Sequence, residues 1–367
     1  MAFLTTNPGV RVFSDDKNGW SVHDLARHKS WRVDRLTAAI AIAFLSARAD
    51  EDVIAALADS DVSSIDSTSV SLRIKKLQDL QVLQPAQKVA PRIETLQRWA
   101  QIGWGEPFDY LASTWDYPFE DYSRGGQEVD KKRMTAYAEV EPDNQRMLPL
   151  KGAPDLALPD IDDALGYFSS DLDPINETNL LDHILNMASV AALPIVWKQS
   201  RTPGADYMKR TSPSGGCRHP SELYILALDV PGLSRGAYHV GVGEARLGRL
   251  RDLPSTERLR VDLPGAFRLG APPRLVFIVS TEFGRNMYRY REARTLRTVY
   301  YDAGHLGGLL ETLGDRAGSI AHGHHGFRDS AVKDLIQSPS LAIESPSYLV
   351  SVGLESELPP ELIRVGS

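Results

Sequence analysis

The residues best placed for chemistry lie in one segment, Lys209-Arg-Thr-Ser-Pro-Ser-Gly-Gly-Cys-Arg-His-Pro-Ser-Glu-Leu-Tyr224. Lys209 and Arg210 open it. Thr211, Ser212 and Ser214 surround Pro213, and Gly215-Gly216 leads into Cys217, Arg218, His219 and Pro220. Glycines let backbone approach a ligand closely. Backbone N–H groups, hydroxyls and arginine donate to anionic oxygens. Such a loop suits a flat anionic ligand, and its composition equally fits an ordinary Gly/Pro connection. Two other groups invite chemistry and receive the blander reading. Cys217 has no general base marked for it. His322-Gly-His-His325 has no carboxylate or thiolate cluster beside it, as closed zinc sites usually do, so no metal is expected.

The elements that must hold this loop follow from hydrophobic patterning. Leu223 to Val230 is apolar and stops at Asp229-Val-Pro-Gly232, which predicts a buried strand closed by a turn. Tyr238 to Val242 reads as a second strand. Arg274 to Ser280 is β-branched and apolar and reads as a central one. Ile343 and Tyr348 to Val352 close the sheet. Asn176 to Leu193 and Thr295 to Leu313 read as helices, the second apolar on most sides and carrying His305. Residues 243–272 read as an irregular excursion and 124–160 as a solvated linker. An acidic tail is expected over 354–367.

Three domains are expected: 1–90, 91–160 and 161–367. In the first, Val10 to Phe13 reads as a strand and Ser21 to Asp24 as a helix cap. Leu36 to Leu45, Glu51 to Leu57 and Ser67 to Leu80 read as helices, followed by a short strand at Gln81 to Gln84. This order looks like a winged-helix module. Residues 91–150 are rich in aromatics, from Trp99 to Tyr122, and predict packing against a core or a second subunit. Ile93 to Trp104 reads as a helix with Leu96, Trp99, Ala100 and Ile102 largely inward.

The chain has 367 residues, a net charge of −7 and one cysteine, Cys217. The charge argues against nucleic-acid binding, which favours a basic surface. A single cysteine excludes an internal disulfide framework and suits a reducing cytoplasm. No apolar run approaches the ~18 residues needed to cross a bilayer.

Three blocks resemble one family. Ser212 to Tyr224 is similar to the "SPSGGARYPLELY" signature of SagB/ThcOx-type flavin oxidoreductases, members of the nitroreductase superfamily from peptide natural-product pathways. Tyr301-Asp-Ala-Gly-His-Leu-Gly-Gly-Leu-Leu310 resembles the "LDAGHLAQNLL" helix. His325-Gly-Phe-Arg-Asp-Ser-Ala-Val332 resembles the "GGFxDxxV" segment. The resemblance implies an α+β fold with a mainly antiparallel sheet flanked by helices. It also implies a homodimer with FMN at its subunit boundary, and a peptide or peptide-borne substrate. The N-terminal module would serve either a structural or dimer role or peptide recognition, and other biosynthetic enzymes are candidate partners. Implied cofactor contacts are Lys209, Arg210, Ser212, Pro213, Ser214, Gly215, Gly216, Arg218, His305, Gly323, His325 and Gly326.

Two departures stand out. The superfamily usually carries Arg-Arg-Ser-x-Arg for the FMN phosphate, where this chain has Gly166-Tyr-Phe-Ser-Ser-Asp-Leu-Asp-Pro174. Lys209, Arg210 or a cation from elsewhere would have to substitute. Azoline-oxidising members carry a Lys-Tyr pair where Arg289-Tyr290 stands here, with one residue of uncertainty in register. Arginine is a poor base and a good anion stabiliser, while Tyr290 retains a phenol able to exchange a proton. Oxidation (dehydrogenation or flavin-assisted oxygenation) is therefore the first reading. NAD(P)H-driven reduction of a dehydroamino acid, with NAD(P)H as a transient reductant, is the second. A non-catalytic scaffold that presents peptide to other enzymes is the third.

Overall fold

The computed structural model describes residues 3–15, 19–58, 66–141, 146–200, 206–268 and 270–358. The chain divides into two compact units, Met1–Phe119 and Glu120–Ser367.

The first unit opens with strands β1 (Leu4–Thr6), β2 (Val10–Ser14), β3 (Trp20–Asp24) and β4 (Lys29–Val33). Strands β2 to β4 form an antiparallel meander. Ser21 to Asp24 is thus strand and not a helix cap. Val22 points inward, and Asp24 turns the chain by accepting from the Arg27 backbone N–H at 3.0 Å. Helices α1 (Arg35–Ala43), α2 (Asp50–Ala58) and α3 (Ser67–Asp79) follow. Asp34 caps α1 and Asp66 caps α3, each satisfying N–H groups that lack an intrahelical partner. Strand β5 (Leu83–Pro85) pairs with β1. Leu4, Val22, Ile40, Phe44, Val70, Ile74 and Leu77 form this unit's core.

Helices α4 (Ala86–Gln101) and α5 (Gly105–Ser113) complete the unit. Trp99, Trp104, Phe108 and Trp115 meet one another edge to face. Helix α4 begins earlier than its pattern suggests, and Ala100 and Ile102 are exposed, not inward.

The second unit begins with helix α6 (Gly126–Val140), then β6 (Ala153–Ala157), so the expected linker is largely ordered structure. Next come α7 (Ile161–Ser169), α8 (Leu180–Ala192), β7 (Val196–Lys198), β8 (Tyr207–Lys209), β9 (Ser221–Ala227), β10 (Gly236–Gly241) and β11 (Arg246–Arg251). They are followed by α9 (Thr256–Asp262), β12 (Leu275–Glu282), α10 (Phe283–Met287), α11 (Thr295–Arg316), β13 (Ser319–His324), α12 (Asp329–Leu335) and β14 (Glu344–Leu354). Strand β11 and helix α9 replace the irregular excursion. The arginines of β11 masked its alternation, because their long stems let the charged heads reach water from a sheet.

Seven strands form one sheet in the order β13-β14-β12-β9-β10-β11-β6, antiparallel throughout. The fold is α+β, with a mainly antiparallel sheet flanked by helices. Both sheet faces are covered. Leu223, Ile225, Phe277 and Val279 pack against α8 and α11. Tyr224, Leu226, Val276 and Ile278 pack with Leu259 of α9 and Val332 of α12. Burial on both sides explains why β9 and β12 read as continuous apolar runs without alternation. The C-terminal residues 359–367 of the expected tail lie outside the described residues, as do 16–18 of the expected N-terminal turn.

Candidate functional site

The loop between β8 and β9 is built by its own side chains and by α11. Ser214 Oγ donates to Asp302 on α11 at 2.6 Å, and the Gly215 N–H donates to the same carboxylate at 3.1 Å. Ser214 Oγ also accepts from the His219 N–H at 2.8 Å. One tight turn over Gly215–Cys217 results, with Gly216 at φ +61°. A side chain is disfavoured there on backbone grounds. Space forbids it as well: a β-carbon on Gly216 would collide with the Tyr290 hydroxyl, and one on Gly215 with the Thr298 methyl. The structure thus brings Tyr290 directly against the glycine turn.

Buried cations back this loop. Arg285 is fully buried, donates to the His219 carbonyl at 2.6 Å and pairs with Glu222. Arg218 donates to the Arg285 carbonyl at 2.9 Å and lies over the Tyr288 ring, 5.2 Å from its centre. Arg210 donates to the Ser221 carbonyl at 3.4 Å. Arg146 donates to the carbonyls of Asp206 and Cys217. Burial pulls Arg146 and Arg210 down to about 10 and Arg218 to about 9. Burial also pulls His219 down to about 3, helped by the charge of Arg210. Its Nε2 lies 2.9 Å from the Met208 carbonyl, an acceptor, so that nitrogen carries the hydrogen.

A polar network continues from Glu222 across the sheet. Its burial alone would raise its pKa, but the Arg285 charge prevails and holds it at about 2. His239 lies 3.4 Å from Glu222 and accepts from the Lys151 N–H at 3.1 Å. Lys151 Nζ, Tyr224 and Ser280 all donate to Glu344, at 2.6, 2.6 and 2.7 Å. Burial and the neighbouring Glu344 charge raise the Tyr224 phenol. Glu222 and Tyr224 point the same way from β9 because they are two residues apart. That i, i+2 spacing was the readable sign of this network. Its partners Lys151, Arg285 and Glu344 carried none.

The other expected site residues are distributed as follows. Ser212 is buried beside the turn, Pro213 is exposed, and Lys209 is exposed on β8. Arg289 pairs with Asp130 and lies 5.4 Å from the Tyr290 ring centre. His305 is exposed, one helical turn beyond Asp302. Gly323 donates its N–H to Glu311 at 2.7 Å. His325 and Gly326 are exposed, and the Gly326 carbonyl accepts from Gly265 at 2.8 Å. In the segment Gly166–Pro174, the Ser169 and Ser170 hydroxyls donate to the carbonyls of Leu165 and Tyr167, within their own helical turn.

Two features of this arrangement bear on a flavin. Nε and one Nη of Arg146, and Nε and one Nη of Arg210, are buried with no partner among the described residues. Buried donors of this kind are normally satisfied, so these arginines call for an acceptor behind the loop. In front, Tyr290 and Thr298 occupy the space at the glycines. A planar ring laid on Gly216 therefore requires the phenol to swing aside.

No family model matches the chain. By sequence it is similar to the trifolitoxin-processing protein TfxB of Rhizobium leguminosarum bv. trifolii, 33% identical over 106 residues. That stretch covers 28% of this chain and 28% of TfxB, so the match spans little more than a quarter of either protein. Among solved structures, a protein designated a nitroreductase from Anabaena variabilis aligns with a TM-score of 0.46 and 20% identity, over 65% of this chain and 47% of its own. The E. coli microcin synthetase McbBCD complex with truncated pro-MccB17 aligns with a TM-score of 0.39 and 19% identity, over 59% and 80%. Over that shared quarter, this chain is thus similar in sequence to a trifolitoxin-processing protein.

Proposed function

We propose that this chain is an FMN-dependent oxidoreductase of the SagB/ThcOx type. It performs two-electron oxidation on a peptide or a peptide-borne amino acid in natural-product biosynthesis. The carrying observation is the turn Ser212–Arg218, suspended from Asp302 and backed by buried arginine nitrogens that have no partner among the described residues. It lies in the block that resembles the family's flavin segment. Similarity to a trifolitoxin-processing protein supports the peptide substrate.

FMN would supply hydride transfer to or from the substrate. The chain's part is binding, orientation and proton handling. Asp302 fixes the turn that orients the ring. Tyr290, at the mouth of that turn, holds or moves the proton that accompanies hydride transfer. Arg289, kept in place by Asp130, sets a permanent positive charge beside the phenol. The chain would work as a homodimer in the cytoplasm. Exposed Tyr301, His305 and Gly308, along one face of α11, support a partner surface there.

An absorbance spectrum of the purified chain, before and after incubation with FMN, tests this reading. Flavin bands near one per chain are expected, and a protein that stays colourless would remove the assignment. With a reconstituted protein, Tyr290→Phe should lower turnover about a hundred-fold or more, the low end for a positioned proton donor, roughly 10²–10⁴. One observation favours the scaffold reading instead: Tyr290 and Thr298 already fill the space at both glycines.

A further inference from the structure

Within the first unit, a cavity of about 450 Å³ lies between helices α4 and α5 and the turns that follow β1 and β3. Small-ligand sites occupy roughly 300–1,000 Å³. The walls of this one are tied in place. Arg11 on β2 pairs with Asp109 on α5, and His28 Nε2 lies 2.6 Å from the Trp115 carbonyl. Arg27, on the wall, is already occupied. It pairs with Asp24 at 2.7 Å and donates to Gln81 Oε1 and the Leu80 carbonyl at 3.0 and 2.8 Å.

Two other lining cations are not occupied. Lys88 and Arg92 stand one helical turn apart on α4, both exposed, with no ion pair among the described residues. Like charges at i, i+4 repel, and an anion between them relieves that repulsion. Among the lining residues only Asp116 opposes them, since Asp24 is matched by Arg27. Asn7 lines the same space and is 5% exposed. Its side-chain oxygen takes the Gly9 N–H at 3.5 Å, while its amide nitrogen donates to no described residue. Phe108 and Trp115 meet edge to face, 5.9 Å between ring centres, and give the cavity an apolar corner. Gln81 and Asp116, both lining it, hold φ of +58° and +45°. Residues other than glycine are strained there, and such strain gathers at ligand sites.

We propose that this cavity binds a monocarboxylate with an apolar body. Lys88, Arg92 and the Asn7 amide take the carboxylate, and Phe108 and Trp115 cover the apolar part. The site lies wholly within the first unit and is independent of the flavin assignment.

Full-length protein is titrated calorimetrically with 3-phenylpropionate, with its neutral amide and with N-acetyl-alanyl-phenylalanine, which carries the same two groups at a peptide end. The acid is expected to bind about ten-fold or more tightly than the amide, the preference one charge-assisted anchor confers. Lys88→Met and Arg92→Met should each narrow that ratio, and the double variant should bring it toward one. Both side chains are exposed, so these variants should unfold at the parent's midpoint. Lys76→Met, on α3 and outside the cavity, should leave the ratio unchanged. Trp115→Ala should weaken acid and amide alike. If the acetylated dipeptide matches the acid, the site stands and takes peptide ends; if the acid alone binds, the site stands and takes a small free acid. Equal affinity for acid and amide, a ratio that the double variant leaves intact, or no heat with any of the three overturns it.

Discussion

Asp302 holds Ser214 through a hydrogen bond of 2.6 Å, joining the α11 helix to a loop 88 residues earlier in the chain. The same carboxylate accepts the Gly215 N–H. Burial raises its pKa against the pull of these two bonds, so it is kept for what it accepts.

Asp302→Ala leaves two donors at the turn without an acceptor. We expect a loss of about 1–3 kcal/mol in urea unfolding. Faster amide exchange should appear from Gly215 to His219, with the β9 core unchanged. Uniform protection across the loop would show that Asp302 does not hold it.

Gly216→Ala meets two obstacles, the positive φ and the Tyr290 hydroxyl. Together they should cost about 2 kcal/mol or more. Adding Tyr290→Ala removes the collision but not the backbone strain, so the double variant should recover only part of the loss. Full additivity of the two changes would mean the phenol does not rest on the turn.

Arg285 and Glu222 are a fully buried pair. Arg285→Met strands the carboxylate and should destabilise by about 3–5 kcal/mol. Combining it with Glu222→Gln removes the stranded charge, so the double variant should be more stable than Arg285→Met alone. A double variant no better than the single one would argue against direct coupling.

Acid should unfold the second unit in two windows. His219 and His324 are pushed from 6.5 down to about 3 and about 4, in both cases chiefly by burial. The folded chain therefore refuses protons that the unfolded chain takes up below 6.5. Stability is present above 6.5 and falls as pH drops toward 4, by up to about 1.4 kcal/mol per pH unit for each excluded proton. Glu222, held down from 4.5 to about 2, adds a loss as pH falls from 4.5 toward 2. His324→Gln should flatten the first window in a urea series. An unchanged urea midpoint between pH 7 and 4 would overturn the assignment.

Much of the sheet was legible because burial writes itself into local composition. Strands β9 and β12 are apolar on both faces, and α11 is apolar on most sides. Helix α6 was not legible: among its residues only Gly126 and Met134 are buried, so no apolar stripe marks it. Strand β3 was misread because Ser21 and Asp24 also fit a cap, and only pairing with β2 and β4 decides between them. At the site, the turn announced itself through its glycines and serines. The residues behind it did not. Arg146 reaches Cys217 across 71 positions and Arg285 reaches Glu222 across 63, distances at which side-chain type alone says nothing about neighbours. Arg289 and Tyr290 were legible only through the family resemblance, and the structure sets the phenol, not the guanidinium, against the turn.

The hydrogen-bonded path from Lys151 through His239, Glu222 and Arg285 to the His219 carbonyl has an implication for protein engineering. Moving the segment Ser212–Tyr224 into another scaffold would import a carboxylate and leave behind the cation that makes it tolerable. Such a graft should succeed only when the recipient receives the arginine too, so the exchangeable module is a scattered set of positions and not a contiguous peptide.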